Sequence, residues 1–128
     1  SENPVYYVQY AHARICSLIA RLAEEGDKVP DAAEVDPAVF STEEEKSLIK
    51  TLSQLPETIR LSARDYDPSH VNRYLTTLAG EFHRFYNSCR IKGEAPEVLA
   101  ARLKLSDTVR AVIANCLALL GVSAPEKM

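Results

Sequence analysis

No stretch of this 128-residue chain approaches the roughly 18 to 20 consecutive apolar residues that a membrane span requires. The first residues also lack the basic-then-apolar order of a signal peptide. The expectation is a soluble, cytoplasmic protein with no membrane partner. Cysteine is scarce: Cys16, Cys89 and Cys116 are odd in number, far apart and set among apolar neighbours. That pattern excludes a disulfide framework and a CxxC metal site, and predicts buried, reduced thiols. Positive charge is not in excess either. With a formal net charge of −3 the chain exerts no bulk pull on a polyanion, so a DNA partner is not expected and any RNA contact must be local. Strand signals are missing, because no alternating run of β-branched residues lies between turn dipeptides.

Catalytic motifs are missing as well. There is no P-loop, GxGxxG, HExxH or GxSxG, and the three histidines do not fall at ligand spacing within one element. His12 and His83 lie near the edges of apolar stripes on separate helices, where hydrogen-bonded structural histidines are expected. The acidic run Glu43-Glu44-Glu45 sits at a helix start, where capping and the helix dipole account for it. No catalytic residue and no metal site are assigned.

Helical periodicity fills the space these absences leave. With 46% hydrophobic residues the chain can bury the core of one domain, residues 1–128. A first helix is expected from Pro4 to Glu25, with Asn3 as its cap, Pro4 in its first turn and Gly26 as its stop. Asp27 to Phe40, with Pro30 and Pro37, reads as an excursion loop. Ser41 and Glu44 form a capping-box pattern opening a helix that carries Leu48, Leu52 and Leu55. Pro56 makes the run to about Asp65 either a second short helix or a continuation past a kink. Asp67-Pro68 opens the most regular stripe, Val71, Leu75, Leu78, Phe82, Phe85 and Cys89, ending near Gly93. A last helix follows Pro96 with Leu99, Leu103, Leu105, Val109, Val112, Cys116 and Leu120, closed by Gly121 and Val122 in a Schellman ending. The fold class is all-α, a helical bundle of four to five helices.

One stripe exceeds what a core needs. At about 100° per residue, Val8, Ala11, Ile15, Ile19 and Leu22 share an arc of the first helix, and the neighbouring arc holds Tyr7, Tyr10, Arg14 and Arg21. Helix-edge tyrosines usually pack with the ring buried and the hydroxyl wet. Arg14, two turns on from Tyr7, adds a planar donor fork beside an aromatic face, the combination that stacks an unpaired base and bonds its edge. Tyr86, one turn before Arg90, is a second aromatic of this kind.

The run from Asn3 to Arg14 closely resembles the start of the C-terminal DALR anticodon-binding domain of arginyl-tRNA synthetases, and Leu119 to Met128 resembles the end of that domain. Phe82-His83-Arg84-Phe85-Tyr86-Asn87 and Leu48-Ile49-Lys50-Thr51-Leu52 fit the family too, so the resemblance spans the chain. Asp107-Thr108-Val109-Arg110 takes the place of the short DALR motif, a departure that concerns packing residues. The resemblance implies a parent that joins arginine to its tRNA with ATP on an upstream class I catalytic domain. The ATP-binding HIGH and KMSK signatures are not among these residues, so no cofactor is expected here and no ligase activity from this segment alone. The implied partners are arginine tRNA, through its anticodon loop, and the parent's catalytic domain. The resemblance implies further that Tyr7, Arg14, Tyr86 and Met128 line a pocket for the middle anticodon base, which is C in every arginine tRNA. Cytosine offers O2 and N3 to Arg14 and an N4 amino group to a carbonyl or to the chain-terminal carboxylate. Tyr10 and Arg90 are further candidate RNA contacts, with Arg21, Arg73, Arg84 and Lys92 as candidates for the backbone.

A helical protein-interaction module would show instead a broad exposed apolar groove, and a small enzyme would show convergent titratable groups in a cleft.

Overall fold

The computed structural model describes residues 4–128, and the Asn3 cap lies outside them. Five α-helices follow one another with no strand among the described residues. None of the helices is long and apolar enough to cross a membrane.

Helix α1 spans Pro4–Glu24, one residue short of the expected end. Gly26 then takes a φ of +92°, a conformation open to glycine at little steric cost, while the Asp27 amide bonds back to the Leu22 carbonyl at 2.9 Å. The excursion that follows is not featureless. It carries two short 3₁₀ turns, Ala32–Glu34 and Pro37–Val39, and the carboxylate of Asp36 accepts the Ala38 amide to start the second. Val29 and Phe40 pin the excursion to the core.

Helix α2 (Glu43–Ser53) does begin with a capping box, but one residue later than expected. Thr42 accepts the Glu45 amide at 3.1 Å, and the Glu45 carboxylate accepts the Thr42 amide at 3.0 Å. Glu45 rather than Glu44 fills the role because Glu45 alone turns inward. It is fully buried, accepts the Ser41 amide and the Thr42 hydroxyl as well, and binds Arg102 of α5 at 2.9 Å. Pro56 resolves into a break: α2 ends at Ser53, and α3 (Leu55–Asp65) starts with the proline in its first turn, where its missing N–H costs nothing.

Tyr66 ends α3 in the left-handed region at φ 51°, with 95% of its surface exposed. A bulky residue gains nothing from that backbone and its ring covers nothing. Tyr66→Asn is therefore expected to stabilise the domain by up to about 1 kcal/mol, read as a higher urea midpoint at unchanged slope.

Helix α4 (Ser69–Ser88) also starts one residue late, with Pro68 outside it and the Asp67 carboxylate accepting the Ser69 amide at 2.9 Å. It ends before Gly93, because Cys89 turns extended and lets Ile91 bury in the core. Gly93 serves the turn into α5 (Pro96–Leu119) at φ +84°. The close of α5 is the expected Schellman ending: Val122 N–H bonds Leu117 O at 2.9 Å and Gly121 N–H bonds Ala118 O at 3.0 Å.

Helix α4 is the hub and packs against all four other helices. Its stripe, Val71, Leu75, Leu78, Phe82, Phe85 and Cys89, is buried throughout. Val8, Ala11, Ile15 and Leu22 meet it from α1, and Leu103, Val109, Ile113 and Leu117 from α5. Ile19, Leu99, Val112 and Leu120 pack at the margin rather than inside. Cys89 and Cys116 are buried thiols as expected, but Cys16 is only half-buried, since its angle on α1 falls outside the core arc.

Candidate nucleic-acid interface

The two aromatic shoulders of α1 and α4 face each other. On α1 the core arc turns inward, which leaves Tyr7, Tyr10 and Arg14 on its flank. On α4, burial of Phe82 and Phe85 places His83 and Tyr86, three residues apart, on a common shoulder.

The guanidinium of Arg14 lies 4.2 Å over the centre of the Tyr86 ring. Its Nη1 donates to Nδ1 of His83 at 3.3 Å. The His83 ring is in turn flanked by Tyr7 at 5.3 Å and Tyr10 at 6.0 Å between centroids. Phe82 backs both His83 and Tyr86, at 6.0 and 5.9 Å, and so ties the shoulder to the core. Tyr7 reaches across α4 to Gly80, where even a Cβ would stand only 3.7 Å from its hydroxyl. Burial first, and then the charge of Arg14, pushes the His83 pKa below the ordinary histidine value. Nε2 of His83 is buried without a hydrogen-bond partner. The cluster thus offers aromatic rings and one planar cation held against a ring face, the chemistry that suits an unpaired base.

Tyr7, Tyr10, Arg14 and Tyr86 all converge on His83 or on one another. Arg90 and Met128 are not part of these contacts. Arg90 binds Glu94 at 2.8 Å, and its own carbonyl accepts from Arg102 at 2.6 Å. Met128 is 59% exposed at the end of a tail that runs along the other side of α1's core arc. There Gln9 donates to Ser123 O and His12 Nδ1 to Pro125 O, each at 2.9 Å. Among the other basic candidates, Arg84 pairs with Glu81, Lys92 with Glu25, and Arg73 bonds Ser69 and His70.

His83 is the member that sequence reasoning passed over. It was expected to be a structural histidine, and it is hydrogen-bonded, yet it sits at the centre of the cluster. The available signal was its spacing, one turn before Tyr86 on the same shoulder. His12 does meet the structural expectation, as a fastener for the tail.

Residues 8–128 match the DALR anticodon binding domain. The chain belongs to the DALR anticodon-binding domain family. It is 52% identical over all 128 residues to the arginine–tRNA ligase of Acetivibrio thermocellus, covering 23% of that protein. It is 48% identical over the same length to the arginine–tRNA ligase of Ruminiclostridium cellulolyticum, again covering 23%. This DALR domain therefore spans about a quarter of the length of these relatives. Among solved structures it superimposes on Thermus thermophilus arginyl-tRNA synthetase with a TM-score of 0.82 at 27% identity, over 95% of this chain and 21% of that one. Val109 of the DALR domain is fully buried, and Asp107 pairs with Arg110 at 2.8 Å along the flank of α5.

Proposed function

We propose that this domain is the anticodon-binding part of an arginine–tRNA ligase and that it reads the middle anticodon base, C, so that the whole enzyme charges the matching tRNA at the expense of ATP. The observation that carries the reading is the guanidinium of Arg14 held 4.2 Å over the centre of the Tyr86 ring. A pyrimidine extruded from the loop finds a ring face at Tyr7, a stack contributing about 1–3 kcal/mol, while Tyr86 carries Arg14. Arg14 presents N–H donors to O2 and N3 of cytosine. Uracil carries a hydrogen at N3 and turns that acceptor into a donor, so a similar energy of about 1–3 kcal/mol discriminates between them. Tyr10, 48% exposed beside His83, is available to the adjoining nucleotide. Met128 has a role in this reading only if the tail closes over the bound loop.

An acidic domain suits this task because the energy comes from stacking and edge contacts rather than from phosphate neutralisation. The similarity to arginine–tRNA ligases across the whole length supports the tRNA as partner, with phosphate contacts supplied by the rest of the enzyme.

The test is a titration with an arginine anticodon stem-loop beside the same loop with U at the middle position, at low and fixed salt. The C loop is expected to bind at least about fivefold tighter, and Arg14→Ala to abolish the difference. Equal affinity of the two loops for the wild type would overturn the base-reading role.

A further inference from the structure

We infer that His83 is a positioning residue for Arg14, held in the fold for base reading and against its stability. The inference rests on the anticodon reading above. A guanidinium has donors only, so the 3.3 Å approach of Arg14 Nη1 makes Nδ1 of His83 the acceptor. The ring is then neutral with its proton on Nε2, the buried atom that has no partner. A buried N–H without an acceptor destabilises a fold, and such an atom calls for a reason.

The surroundings of His83 supply no structural reason. Its neighbours are the rings of Tyr7, Tyr10 and Phe82, apolar surroundings that suit a phenylalanine, which would bury no unpaired N–H. What a phenylalanine would lack is the acceptor. The 4.2 Å approach to the centre of the Tyr86 ring places the Arg14 guanidinium but leaves its N–H groups free to turn. The bond to Nδ1 removes that freedom and aims the remaining N–H edges in one direction. The titratable groups facing His83 are Tyr7, Tyr10 and Arg14 from α1, with Glu81 and Arg84 paired to each other nearby on α4. Protonation of His83 would remove the acceptor and set a second cation against Arg14.

The experiment compares wild type, His83→Phe and His83→Asn, since an asparagine oxygen can stand near the Nδ1 position. His83→Phe is expected to melt at or above the wild-type temperature while it loses most of its preference for the C loop over the U loop. His83→Asn is expected to recover most of that preference. The wild-type preference should hold down to the ordinary histidine range and collapse at more acidic pH, and that of His83→Asn should not change across the same interval. A His83→Phe protein that reads C as well as wild type overturns the inference, and so does His83→Asn failing to the same degree as His83→Phe. ¹⁵N NMR of the free domain decides independently of RNA. A proton on Nε2 and none on Nδ1 is expected, and the reverse overturns the role of His83. A wild type that does not prefer C, with the expected tautomer present, instead overturns the anticodon reading.

Discussion

Arg102→Ala is expected to cost the domain about 3–5 kcal/mol, a large share of what holds a fold of this size together. The side chain of Arg102 is 12% exposed and that of Glu45 1%, so the pair is screened little by water. Arg102 also donates to the Arg90 carbonyl, so one side chain joins the start of α2 to the turn between α4 and α5. Removing it strands a buried carboxylate. Glu45→Gln on top of Arg102→Ala should restore part of the loss, because the unpaired charge goes with it, and urea titrations of the two single variants and the double variant measure the coupling. Burial by itself raises the Glu45 pKa. The Thr42 and Ser41 amides, Arg102 and the Thr42 hydroxyl outweigh it, and the net direction is down from 4.5. A depressed carboxylate stabilises the fold above its unfolded pKa, and that contribution is lost as pH falls through the folded value. Stability should thus decline below about pH 4.5, and Glu45→Gln should flatten that part of the profile.

Phe82→Ala is expected to be comparably severe, at about 3–5 kcal/mol. The ring is fully buried and contacts Phe85 as well as His83 and Tyr86. Its loss opens a cavity at the hub helix and withdraws the backing of the reading cluster. Two measurements separate these effects. Chemical denaturation reports the cavity, and stem-loop titration at a temperature where the variant is still folded reports the C-over-U preference, which is expected to fall. A variant that lost stability but kept full preference would show that Tyr86 does not depend on Phe82 for its position.

The apolar stripes of α1 and α4 were legible because a helix repeats its angle whatever lies across from it, and Leu75, Leu78, Phe82 and Phe85 leave no other face to bury. The Tyr and Arg arc was legible for the same reason. Choices made by distant partners were not. Ser41 with Glu44 and Thr42 with Glu45 are equally good capping boxes in isolation, and the decision comes from Arg102, 57 residues away from Glu45. Ile91 likewise ends α4 early by burying in a core assembled elsewhere. His83 stood at an angle that fits both packing and function, and only the arrival of α1 showed Arg14 at its Nδ1. Arg90 was favoured for its nearness to Tyr86 along the helix, whereas its actual partner is Glu94.

The fastening of the tail to α1 has a consequence for the order of assembly. Gln9 meets Ser123 and His12 meets Pro125 across 114 and 113 residues of chain, a far longer closure than any between α2, α3 and α4. Loop-closure entropy delays contacts of that span until shorter ones have formed. During vectorial synthesis, then, this side of α1 stays wet until residues 123–125 have been made, and His12 and Gln9 act as the latch that receives them.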